Sequence, residues 1–222
     1  FIAEVPEKIP FMATSCCPAW SMMAKKLFPE RANCISMAMT PMVLTARMIK
    51  QANPDDRICF IGPCAAKKLE ASRRSVRSDV DFVLTFEELA GMFEAKEVDF
   101  SALEASDDLQ YGTADGRGFA VGGGVAQAVV NYIKDKYPDR EVKVASAQGL
   151  ADCKKMMMMA KAGKYNGYLL EGMGCPGGCI AGAGTLADPA RTATLLTKYK
   201  KDAPIQHSAD SDFKDYGKLL HD

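Results

Sequence analysis

Arg57-Ile58-Cys59-Phe60-Ile61-Gly62-Pro63-Cys64-Ala65-Ala66-Lys67-Lys68-Leu69-Glu70 is the stretch on which the fold turns. Its first five residues form an apolar run of strand length, some of it suited to burial on both faces, and Gly62-Pro63 ends the run. Similar runs stand at 81–84 (DFVL), 141–145 (EVKVA) and 166–170 (NGYLL). Helix signals fall between them. Thr40-Pro41 is an N-cap followed by proline at the first helical position, opening a helix to about residue 51. Thr85-x-x-Glu88 is a capping box before residues 89–93. Gly122-Gly123-Gly124 precedes a helix to about Lys136, residues 150–162 continue the pattern, and 213–220 read as a short amphipathic helix. Strands alternating with helices imply right-handed crossovers. The fold expected is therefore α/β: two lobes of largely parallel sheet flanked by helices, with the metal site in the cleft between them. Residues 1–222 are taken as one domain, with a possible lobe boundary near 101–110, where the chain is most polar.

Composition narrows the function. Acidic and basic residues balance at 28 each in 222 residues. A chain without net charge lacks the long-range attraction of a nucleic-acid or membrane-surface binder. No apolar run reaches transmembrane length and no signal peptide is evident, so a soluble, cytoplasmic protein is expected, with no nucleic-acid partner and no membrane insertion. The chain opens at Phe1 rather than Met and reads as partial at its N-terminus.

Eight cysteines stand at 16, 17, 34, 59, 64, 153, 175 and 179. Five occupy three loops rich in glycine or proline. Cys16-Cys17-Pro18 precedes a helix begun by Pro18, where free backbone N–H groups and the helix dipole favour a thiolate. Cys64 follows a strand, at the carboxyl end where open α/β sheets place their sites. Cys175-Pro176-Gly177-Gly178-Cys179 follows another strand, and its glycines admit a close, bulky ligand. A cubane iron–sulfur cluster needs four thiolates. Zinc also accepts four, but structural zinc sites pair their ligands in tight knuckles, whereas these are spread along the chain. Cys34, Cys59 and Cys153 read as structural thiols, Met156–Met159 as packing, and His207 and His221 as lone.

The three loops resemble the signature segments of the iron-only ([FeFe]) hydrogenases: Thr14-Ser15-Cys16-Cys17-Pro18-Ala19-Trp20, then Pro63-Cys64 through Glu70, then Glu171 through Cys179. Arg117–Val125 (RGFAVGGGV) and the tail near His221 are also similar to that family. The resemblance implies that Cys17, Cys64, Cys175 and Cys179 bind a [4Fe-4S] cluster. It implies that Cys179 bridges to a diiron subsite carrying carbonyl, cyanide and an azadithiolate, the two together forming the H-cluster. Lys67 is then expected to hydrogen-bond a cyanide, Pro63, Phe119 and Met173 to shape the pocket, and Cys16 to pass protons, with Ser36 as a further step. The implied activity is reversible reduction of protons to dihydrogen. Its electrons come from a ferredoxin or an attached iron–sulfur domain, and maturation proteins deliver the diiron subsite.

The chain departs from the best-studied members at Gly62 (Met there), at Met42 (Gln there) and at Gly182-Ala183-Gly184-Thr185, as in a less-studied branch. That family's domain begins some tens of residues before the first loop, which agrees with a partial N-terminus. Two other readings use the same ligands: an iron–sulfur assembly protein holding a plain cubane, and a hydrogen sensor. Both tend to lack the thiol at the Cys16 position, so Cys16 favours the enzyme.

Overall fold

A computed structural model describes residues 1–106 and 112–216. Among the described residues the chain forms two parallel sheets. The first has the order β1 (Met12–Ala13), β5 (Tyr168–Met173), β4 (Lys143–Gln148), and the second pairs β2 (Cys59–Gly62) with β3 (Phe82–Thr85). Between strands run α1 (Pro18–Leu27), α2 (Pro41–Ala52), α3 (Ala66–Ala71), α4 (Phe86–Ala95), α5 (Ala114–Arg117), α6 (Gly124–Lys136) and α7 (Leu150–Lys161), with α8 (Pro189–Lys201) after β5. The α/β fold expected, with largely parallel sheets flanked by helices, is the fold observed.

Each sheet has its own core. Phe11, Trp20, Cys34, Cys153, Met157 and Leu170 are fully buried around the first sheet, between α1 and α7. The Trp20 ring lies against β5: a Cβ at Gly172 would collide with it, so only glycine fits there. Its Nε1 donates to the Thr14 carbonyl at 3.0 Å, which ties α1 to the first cysteine loop. Met42, Val43 and Ala46 of α2 pack with Val76 and Val80 beside the second sheet.

Several elements differ from their expected limits. The strands begin about two residues later than the apolar runs. β5 runs on through Glu171, Gly172 and Met173, buried throughout that stretch. A glutamate and a glycine looked like loop; they fit the strand because Glu171 finds backbone donors and Gly172 makes room for Trp20. Phe11-Met12-Ala13 supplies the short strand β1. Thr40 does stand at the N-cap of α2, but its hydroxyl makes no cap bond. The Thr85–Glu88 capping box is present in both directions. α8 went unforeseen, although Asp188-Pro189 starts it with a side-chain cap bond to the Arg191 N–H. Cys59 is exposed on β2 rather than a core thiol. Met156 and Met157 are buried while Met158 and Met159 face outward, as four consecutive helical residues must. His207 lies 3.8 Å from carboxylate oxygens of both Asp115 and Asp135, so it is not lone. The expected boundary near 101–110 and the helix at 213–220 fall partly outside the described residues, as does His221.

Candidate metal centre

All strands of each sheet run parallel, so their carboxyl ends share one side, and the cysteine loops leave from those ends. β1 leads into Thr14–Cys17, β2 into Pro63-Cys64, and β5 into Gly174-Cys175. Cys17 is the N-cap of α1, with Pro18 at the first helical position. The loops are fastened to one another. The Gly174 N–H donates to Cys17 Sγ at 3.3 Å, and the Gly184 N–H donates to the Pro63 carbonyl at 3.0 Å. Gln148, at the end of β4, accepts the Gly177 N–H at 2.8 Å. Gly178 adopts φ +90°, and a Cβ there would lie 2.6 Å from Gly122 N and 2.7 Å from Ala120 O. Only glycine lets the third loop press against that backbone.

The cysteine doublet lines two cavities, Cys16 one and Cys17 the other. The smaller, about 210 Å³, is lined by Cys17, Cys64, Cys175 and Cys179 together with Met173 and the glycine backbone of the third loop. The larger, about 400 Å³, is lined by Cys16, Ser36 and Phe119, with Thr14, Val125 and other mostly apolar neighbours. Neighbouring residues of one loop thus face different chambers. Ser36 is held by its own N–H to the Ala13 carbonyl and by the Ala38 N–H, which its hydroxyl accepts at 3.2 Å. Thr14 Oγ1 is buried and has no partner among the described residues.

Lys67 and Pro63 line neither cavity. Lys67 is nonetheless buried, as is Glu70, and its Nζ donates to Glu70 Oε2 at 2.6 Å and to the Cys16 carbonyl at 3.4 Å. An ammonium has three donors. Two are taken here, leaving one. Pro63 acts through its carbonyl, which anchors the third loop.

The electrostatics are those of crowded thiols. Burial, then the charges of Cys17, Glu171 and Cys179, push the Cys16 thiol up to about 12. Burial and the neighbouring sulfurs push Cys179 up to about 11 and raise Cys175. Thiolates confined together oppose one another, and a bound cationic metal core reverses this by deprotonating its ligands outright. Among the described residues, no three His, Cys, Asp or Glu side chains gather tightly enough for a single ion. Zinc would draw four sulfurs to about 2.3 Å from one point. These four surround a volume instead, which fits a multi-atom cluster.

Glu70 and Glu171 are buried carboxylates beside the site, and neither was given a partner from the sequence. Glu70 was legible as the i+3 partner of Lys67. Glu171 was not, because nothing in an apolar strand signals that a glutamate points at a helix start. Its two oxygens accept the N–H groups of Gly123 and Ala126, each at 2.6 Å. Burial pushes its carboxyl up, and the amides of Ala126, Gly123 and Val125 pull the other way. Hydrogen bonds to a charged group contribute about 1.5–3 kcal/mol each, and both oxygens accepting donors is the pattern of an ionised carboxylate.

Known proteins share this architecture. The sequence profile of the family described as "Iron only hydrogenase large subunit, C-terminal domain" matches residues 1–183. The periplasmic [Fe] hydrogenase large subunit of Nitratidesulfovibrio vulgaris is 30% identical over 82% of this chain and 55% of its own length. Iron hydrogenase 1 of Clostridium pasteurianum is 30% identical over 82% of this chain and 39% of its own. Cytosolic iron-sulfur assembly component 3 of Pongo abelii is 27% identical over 89% and 51%. The chain thus spans about half the length, or less, of these curated relatives. Two solved [FeFe]-hydrogenase structures share the fold. One, from work on stepwise H-cluster assembly, has TM-score 0.69 and 19% identity over 92% of this chain and 70% of that one. The other, from work on oxygen inactivation, has TM-score 0.72 and 18% identity over 95% and 70%. Hydrogenases and iron–sulfur assembly factors both occur among the relatives, and the three cysteine loops, the paired parallel sheets and the profile match agree: this chain belongs to the family of iron-only hydrogenase C-terminal domains.

Proposed function

We propose that the chain is the cofactor-bearing part of an iron-only hydrogenase, which interconverts protons and dihydrogen. The supporting observation is the cysteine doublet between the two cavities. Cys17 joins the four-thiol chamber, while Cys16 faces the larger one beside Ser36 and Phe119.

The residues present fit the implied group. Cys17, Cys64, Cys175 and Cys179 would hold a [4Fe-4S] cluster, and the larger cavity would take the diiron subsite with its carbonyl, cyanide and azadithiolate. When bound, that group supplies the redox chemistry that joins two protons and two electrons as dihydrogen. The protein holds protons, orients and excludes water. Cys16, half-buried among like charges, would keep its proton at Sγ. Ser36 Oγ stands at the same wall as the next hydroxyl. Lys67, held behind the Cys16 carbonyl rather than in the cavity wall, would turn its third N–H donor to a cyanide, and Met173 and the apolar wall with Phe119 would keep water out. A ferredoxin or attached iron–sulfur domain would bring electrons, and maturation proteins the diiron subsite. This reading puts the protein in the cytoplasm, in keeping with the cytosolic iron–sulfur assembly relative.

A second reading, an iron–sulfur assembly protein with a plain cubane, draws on the relative of that name. The 400 Å³ chamber beside Cys16 counts against it, since a plain cubane needs only the smaller one. Hydrogen evolution from a reduced dye separates the two. The matured protein should evolve hydrogen, and Cys16→Ala should lower the rate by orders of magnitude while keeping the cubane. Full activity in Cys16→Ala would remove Cys16 from the proton route.

A further inference from the structure

We propose that Glu171 is a positioning residue: by holding the N–H groups of Gly123 and Ala126, it fixes the start of α6 and with it the Phe119–Val125 wall of the larger cavity. Glu171 is fully buried. No lysine or arginine pairs with it among the described residues; its partners are backbone amides at the start of a 13-residue helix. A helix N-terminus stabilises an anion there. The two bound amides bracket Gly124 and Val125, and Phe119 lies just before them; Phe119 and Val125 both line the larger cavity. On its other side, Glu171 stands four residues before Cys175, in the strand that carries the third cysteine loop. One side chain therefore ties the wall of the larger chamber to the loop that closes the smaller one. Gly178 packing against the backbone of 120–122 makes the same junction a second time.

The role assigned to this wall rests on the proposed cofactor chamber, but the test needs no iron. Glu171→Gln keeps the shape and turns an NH2 group toward one of the two amides, so one bond is lost and two donors oppose each other. In the full chain, hydrogen exchange at Gly123 and Ala126 should quicken by about tenfold or more. Exchange in α2 should stay as it was. The fluorine resonance of a 4-fluorophenylalanine placed at 119 should move. Unchanged exchange at Gly123 and Ala126, or an unmoved resonance, overturns the proposal. So does equal acceleration through α2 and both sheets, because the carboxylate would then hold the whole core rather than this wall. Failure of the unsubstituted protein to take up iron and sulfide would instead sink the cluster reading and leave this result standing.

Discussion

The Gly174 N–H donates to Cys17 Sγ at 3.3 Å, across 157 residues of sequence. The third cysteine loop is thereby joined to the first before any metal is considered. Four thiols on three loops are pre-arranged around a volume, and the adjacent Cys16 faces a separate one. The apoprotein should show this difference. Burial and like charges hold the Cys16 proton, with the thiol pushed up to about 12, whereas Cys59 is exposed. Brief alkylation at pH 8, read by peptide mass spectrometry, should label Cys59 well before Cys16. Faster labelling of Cys16 would contradict the raised thiol and partial burial assigned to it.

The buried Lys67–Glu70 pair should behave as a unit. Removing one partner strands a buried charge, which costs about 3–5 kcal/mol. Glu70→Ala should lower the urea unfolding free energy by that order, and Lys67→Met with Glu70→Leu should recover most of it. Equal losses in the single and double variants would show that the two do not depend on each other.

Gly178 is buried and should resist substitution. A side chain at φ +90°, ψ −159° costs about 1–3 kcal/mol, and the Cβ collides with backbone atoms that cannot swing away. Gly178→Ala should bind less iron per chain after reconstitution with iron and sulfide. Wild-type uptake would show that the third loop can close without that contact.

Asp81 governs the smaller sheet. It accepts from the Ile58 N–H at 2.8 Å, from Lys50 at 2.9 Å and from Arg57 at 3.0 Å. These bonds, the backbone one foremost, hold its carboxyl well below the usual range. A depressed carboxylate stabilises the fold above its unfolded pKa, about 3.9, and loses that contribution as pH falls toward the folded value. Asp81→Asn should be less stable than the native chain at pH 7, and the difference should shrink below about pH 4. A difference that grows on acidification would reverse the sign.

Much of this architecture was legible in sequence because it is local. The capping box at Thr85 and Glu88, the proline starts of α1 and α2, and the apolar runs of β2 and β3 depend on neighbours in the chain. The cysteine loops were legible because their residue types are rare together. What escaped depends on partners distant in sequence. Glu171 is intelligible only once α6 is laid against β5, Gly172 only once Trp20 is seated, and Cys59 is exposed on β2, whose sheet pairs it with β3 alone among the described residues. The division of the doublet into two chambers is likewise a property of packing.

On the proposed reading the two chambers hold a cubane and a diiron subsite together. Infrared absorption of the matured protein in the region of iron-bound carbonyl and cyanide tests it most directly. The expected result is a set of such bands that persists in Cys16→Ala and disappears when Cys179 is replaced. A protein that takes up iron and sulfide yet shows no carbonyl or cyanide bands after maturation would contradict the claim and favour the plain-cubane reading.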